Sequence, residues 1–130
     1  MVDASALVAI IARESGWEAL EAKLRSATSP RTSPIARYEA ILAAARLKDG
    51  DLTHAEQLVN DLGRTHRIAT VSITPEIGHA ALAAFDRFGT GRHRASLNMG
   101  DCFSYACAKI HRVALLCKGD DFIHTDIRIA

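Results

Sequence analysis

The sequence predicts an α/β fold in which a parallel sheet is covered by helices on both faces. Helical stretches with apolar residues at spacings of three and four alternate with short β-prone runs. The run Val113 to Cys117 is continuously apolar, as a strand buried on both sides is. The 130 residues are 48% hydrophobic and 24% charged, with three prolines and eight glycines. That composition belongs to one ordinary domain, residues 1–130, able to bury roughly two thirds of the surface its unfolded chain would expose. Disorder and a second domain are excluded.

Val2 and Asp3 end a very short first strand, and a helix follows from Ala6 to about Arg13. Gly16 separates it from a second helix, where Trp17, Leu20 and Leu24 recur at three and four, ending near Ala27. Ser29 to Ser33 is an extended, proline-edged connection. A third helix begins near Pro34 with Tyr38, Ile41, Leu42 and Ala45 as its apolar face, and the Asp49-Gly50-Asp51 turn stops it. The fourth helix runs from about Thr53 to His66, and Ile68 to Ile73 is the clearest strand candidate. Thr74 caps and Pro75 opens a fifth helix, with Ile77, Ala81, Leu82 and Phe85 on one face until Gly89 and Gly91 break it. Met99 to Arg112 is the sixth helix, carrying Phe103, Ala106, Cys107 and Ile110 as a buried stripe.

Sixteen basic against fifteen acidic residues give a net charge of +1, so contact with nucleic acid has to come from a local patch. Cys102, Cys107 and Cys117 are an odd number in apolar surroundings and no secretory segment precedes them, which reads as reduced thiols in a cytoplasmic protein. The apolar run Ala6 to Ala12 is far short of the ~20 residues of a bilayer span, so no membrane segment is expected.

In a parallel sheet, sites form beyond the carboxyl ends of the strands. Asp3 ends the first strand, Asp120 and Asp121 follow Gly119 after the last apolar run, Asp101 sits in the first turn of the sixth helix, and Glu39 flanks the buried side of the third. Each has a plain structural explanation. Asp3 or Ser5 would serve as an N-cap, Asp101 suits a helix dipole, Gly-Asp is ordinary turn chemistry, and Glu39 fits a half-exposed surface position. Together they carry more weight, because several carboxylates converging on one cleft raise one another's pKa unless a counter-charge is present. A hard divalent cation, Mg²⁺ or Mn²⁺, removes that conflict and points to phosphodiester chemistry.

The segments Met1-Val-Asp-Ala-Ser-Ala-Leu-Val8, Glu39, Gly91-Arg-His-Arg-Ala95, Leu97-Asn98, Gly100-Asp-Cys-Phe-Ser-Tyr-Ala106 and Leu116-Cys-Lys-Gly-Asp-Asp-Phe122 with Thr125-Asp126 together resemble the VapC toxins, which are PIN-domain ribonucleases. The resemblance spans the whole chain in order and spacing. It implies a three-layer α/β/α fold with a central parallel sheet, Mg²⁺- or Mn²⁺-dependent endoribonuclease activity, homodimerisation and inhibition by a VapB-type antitoxin. Asp3, Glu39 and Asp101 match the family's first three acids, with Asp3 and Asp101 holding the ion; Asp121 is preferred to Asp120 as the fourth. Ser5 matches a hydroxyl beside the metal site, and Asn98 an asparagine preceding the third acid. Two departures stand out. Asp3-Ala4-Ser5 replaces the usual Asp-Thr-Ser or Asp-Ser-Ser and deletes one hydroxyl, and only two residues precede Asp3, leaving its acid on terminal backbone prone to fray.

The glycine-flanked loop around Arg92, His93 and Arg94 offers cations that could clamp RNA phosphates, with a solvated loop as the alternative. Cys107, His111 and Cys117 lack zinc-site spacing, and no nucleophile elbow or phosphate-binding glycine motif occurs. Aromatic content of 5% disfavours a platform of stacked rings for single-stranded RNA. The stripe Trp17, Leu20, Leu24 and the Tyr38 face leave apolar surface for an amphipathic partner segment in a groove. Two other classes are weighed against a ribonuclease: a catalytically weak PIN-like module that binds antitoxin or RNA without cutting, and a Mg²⁺-dependent phosphatase acting on small phosphoesters.

Overall fold

The computed structural model describes residues 1–47 and 49–130. Among these, six α-helices flank a strip of parallel backbone pairing: α1 (Ala4–Ala12), α2 (Trp17–Ser26), α3 (Pro34–Arg46), α4 (Leu52–Thr65), α5 (Pro75–Phe88) and α6 (Met99–Ile110). Strands β1 (Arg31–Thr32) and β2 (Ala69–Thr70) pair in parallel, Arg31 opposite Ala69 and Thr32 opposite Thr70. The pairing continues as single parallel bridges, Val2 with Leu116 and Leu115 with Ile129. The Val2 N–H donates to the Arg31 carbonyl at 2.6 Å, and the Asp3 N–H to the Leu116 carbonyl at 2.9 Å. Across the strip the order is therefore β2, β1, the leading segment, residues 115–116 and residues 128–130.

Side chains alternate across a strand, and here the alternation separates two cores. Met1 and Leu115 join Ile77, Ala81, Phe88, Tyr105 and Cys107 of α5 and α6. Val2 and Leu116 join Leu7, Ile10, Leu24, Ala40 and Val59 of α1 to α4. Helices thus cover both faces, and the expected three-layer α/β/α arrangement is observed. The leading segment is hydrogen-bonded on both sides rather than frayed.

The strands are shorter than the sequence suggested because caps interrupt them. Ser33 takes the Ala36 N–H at 3.0 Å and Pro34 opens α3, so β1 ends after two residues. Ile68 to Ile73 contributes only Ala69 and Thr70 to the ladder; both are exposed, which makes this run an edge rather than a strand buried on both faces. Helix α1 starts at Ala4, earlier than expected, because Asp3 and not Ser5 is its N-cap.

One helix face also departs from the reading above. α3 buries Ala36, Ala40, Ala44 and Ala45, a row of small residues that lets its backbone sit close to α1, while Tyr38 is 63% exposed. Leu82 and Ile110 are likewise exposed rather than in the core. No helix among the described residues is long and apolar enough to cross a membrane.

Candidate active site

Asp3 is the buried centre of the site. It stands where the leading segment ends and α1 begins, only 4% exposed. Its Oδ2 accepts the Ser5 amide at 2.9 Å and the Ser5 hydroxyl at 2.6 Å, and its Oδ1 accepts the Ser104 hydroxyl at 2.6 Å. Ser5 Oγ in turn accepts the Lys118 amide at 3.0 Å, tying this corner to the chain just after Leu116. The Ser5 hydroxyl proton is thus committed to Asp3.

Asp101 enters from the N-terminus of α6 in a capping box. Asn98 Oδ1 accepts the Asp101 amide at 3.0 Å and Asp101 Oδ2 accepts the Asn98 amide at 2.8 Å, so Asn98 fixes the third acid as well as lining the cleft. Glu39 projects from α3, and its carboxylate lies directly against Gly100. A Cβ at position 100 would fall well inside 3.0 Å of that carboxylate. The missing side chain at Gly100 is what lets the Glu39 carboxylate lie this close. Gly119, at φ +91°, turns the chain after Lys118 and brings Asp121 to the cleft. Asp120 is exposed and outside the lining.

These residues line one open cleft of about 730 Å³. Five carboxylates border it, Asp3, Glu14, Glu39, Asp101 and Asp121, against two cations, Arg46 and Lys118, and Lys118 is already paired with Glu14. The electrostatics record the imbalance. Burial, then the charges of Asp3 and Asp121, push Asp101 up to about 6 against the opposing pull of the Asn98 amide. Burial, then Asp3 and Asp101, also raise Glu39.

No three His, Cys, Asp or Glu side chains among the described residues gather tightly enough to enclose an ion by themselves. An open set of oxygen donors suits a hard cation that keeps much of its water and takes one or two carboxylates directly, which Mg²⁺ and Mn²⁺ do. Zinc chemistry has no support in the thiols: Cys102 and Cys107 are buried, and burial pushes all three cysteines up to about 11.

The basic loop does not reach the cleft. Thr90 Oγ1 donates to the Ser96 carbonyl at 2.9 Å, folding the loop on itself, and Arg92 pairs with Asp86 at 2.8 Å with its guanidinium over the Phe85 ring. Arg94 is exposed, and neither arginine lines the cleft. The cleft has other members that the sequence reading did not single out: Lys118, inside the Lys-Gly-Asp-Asp motif, and Glu14 and Arg46, for which no local pattern gave a signal; Tyr38, read above as part of an apolar face open to a partner, lines it as well.

The sequence also matches known proteins along nearly its whole length. A sequence model of the PIN domain matches residues 1–128. The chain is 38% identical over 138 residues to VapC ribonuclease R02377 of Rhizobium meliloti, covering 97% of each chain. It is 41% identical over 129 residues to VapC ribonuclease Mb0640 of Mycobacterium bovis, covering 98% of this chain and 95% of that one. Over 130 residues it is 41% identical to Ribonuclease VapC of Mycolicibacterium smegmatis, covering 98% and 96%.

Proposed function

The chain belongs to the PIN-domain family, and on that premise we propose that it is a Mg²⁺- or Mn²⁺-dependent endoribonuclease, the toxin of a VapBC-type pair, cutting RNA in the Asp3–Glu39–Asp101–Asp121 cleft. One observation carries this reading: the cleft is lined by five carboxylates and two cations. A phosphodiester is repelled from such a surface unless a cation stands between them.

Asp3 and Asp101 are the residues that would hold the ion, with Asp121 supporting the outer side. Bound there, Mg²⁺ or Mn²⁺ supplies a water of lowered pKa and neutralises charge on the phosphoryl oxygens. Three donors fix the Asp3 carboxylate in place. Glu39, whose pKa burial raises from its ordinary value, is suited to take a proton from the attacking water at one carboxylate oxygen. Tyr38 stands exposed at the cleft wall and offers one flat face to a nucleobase.

The relatives' VapC names further support a VapB-type antitoxin as partner. Self-association as a homodimer is supported by the exposed apolar surface at Leu82 and Met99, and is checked by the mass of the purified chain in solution. The decisive experiment for the activity is Asp101→Asn. RNA cleavage and growth inhibition fall below detection while the variant still unfolds cooperatively; cleavage equal to wild type would remove the assignment.

A further inference from the structure

Helix α6 places a second polar residue on the face that carries Asp101. Ser104 lies three positions on, one turn deeper, and is 1% exposed. A buried serine inside a helix commonly turns back to its own backbone carbonyls, and alanine would suit the helix better. Here the hydroxyl reaches across 101 residues of sequence to Asp3 Oδ1 at 2.6 Å. The Ser104 hydroxyl donates and the carboxylate oxygen accepts. Among the described residues it is the sole donor to Oδ1, the Ser5 amide and hydroxyl both serving Oδ2.

From this arrangement we infer that Ser104 is a positioning residue for the proposed metal site, fixing the Asp3 carboxylate so that it faces Asp101 across the cleft. The inference rests on the ribonuclease reading given above. Asp3 thus accepts one hydroxyl from Ser5, two residues on, and a second from the interior of α6. The two acids assigned to the ion are thereby linked through one rigid helix, which presents Asp101 at its end and locks Asp3 from its interior. A supporting donor of this kind orients a ligand without touching the ion, and its loss typically costs 10- to 100-fold in metal affinity.

The test titrates Mn²⁺ into the purified chain by calorimetry, alongside cleavage kinetics and thermal unfolding, for wild type, Ser104→Ala and Ser104→Thr. Ser104→Ala is expected to weaken Mn²⁺ binding by about 10-fold or more and to lower kcat with little change in KM for RNA, while unfolding stays cooperative. Ser104→Thr, which keeps a hydroxyl, is expected to bind Mn²⁺ more tightly than Ser104→Ala. Wild-type Mn²⁺ affinity in a folded Ser104→Ala protein overturns the inference alone, even if its unfolding temperature drops, because a merely structural serine would give that result. A wild-type chain that neither binds Mn²⁺ nor cleaves RNA overturns the ribonuclease reading, and this inference with it.

Discussion

Replacing Gly100 by alanine separates the stability of the fold from the chemistry of the cleft. Gly100 is helical, with no positive φ, so alanine is compatible with its backbone and reduces the freedom of the unfolded chain. Such a change is worth about 0.4 to 1 kcal/mol in favour of the folded state. The new Cβ collides with the Glu39 carboxylate, the far end of a flexible side chain, and ordinary contact begins at 3.4 Å. Glu39 must therefore retreat by about 1 Å or more, a misplacement that costs on the order of 10²-fold in rate, or about 2.7 kcal/mol of barrier, when the group acts directly on the reacting atoms. The assay pairs thermal unfolding with Mn²⁺-dependent cleavage of a labelled RNA. Gly100→Ala should unfold at the wild-type temperature or a few degrees higher while losing about 10²-fold in kcat/KM. In a Glu39→Ala background the same substitution should cost almost nothing further, since the group it displaces is gone. Wild-type cleavage by Gly100→Ala, or an undiminished penalty in the Glu39→Ala background, would refute the reasoning.

Other consequences follow from the charge and exposure of the site. Asp101 has a folded-state pKa of about 6, above its ordinary 3.8, so the folded protein binds that proton more tightly than the unfolded one. In EDTA the contribution of this group to stability is therefore lost as pH rises from about 4 through 6. Asp101→Asn should narrow the difference in unfolding temperature between pH 5 and pH 7.5, and an unchanged difference would contradict the shift. Mn²⁺ binding should strengthen over the same interval, because the ligand must give up its proton. Tyr38→Ala should raise KM for single-stranded RNA about 5- to 100-fold with unfolding unchanged, since the ring is 63% exposed and contributes little to the core; an unaltered KM would remove its stacking role.

The layered fold was legible where side-chain chemistry acts locally. Thr74-Pro75, Ser33-Pro34 and the Asp51 turn cap helices as their residue types require, and the apolar pair Leu115 and Leu116 sits buried on opposite faces. Asp3, Glu39, Asp101 and Asp121 could be singled out because strand ends and a helix N-terminus deliver acids to one edge, and because the motifs around them resemble a known family. The helix faces were less legible. Counting large apolar residues put Tyr38 on the main apolar face of α3, whereas α3 is buried through Ala36, Ala40 and Ala44, whose small size is what permits close approach. The destinations of long charged side chains were not legible either. Arg92 turns to Asp86 and Lys118 to Glu14, choices set by tertiary neighbours that no local spacing encodes. The role of Ser104 depends on a partner 101 residues away and emerges only once α6 lies against the leading segment.

The central claim is that Asp3 and Asp101 together hold one hard divalent cation. Calorimetric titration of Mn²⁺ into the wild-type chain and into the Asp3→Asn, Asp101→Asn double variant tests it most directly. Saturable binding by the wild type that disappears in a still-folded double variant is the predicted result. Equal binding by both proteins, or none by the wild type, would contradict it.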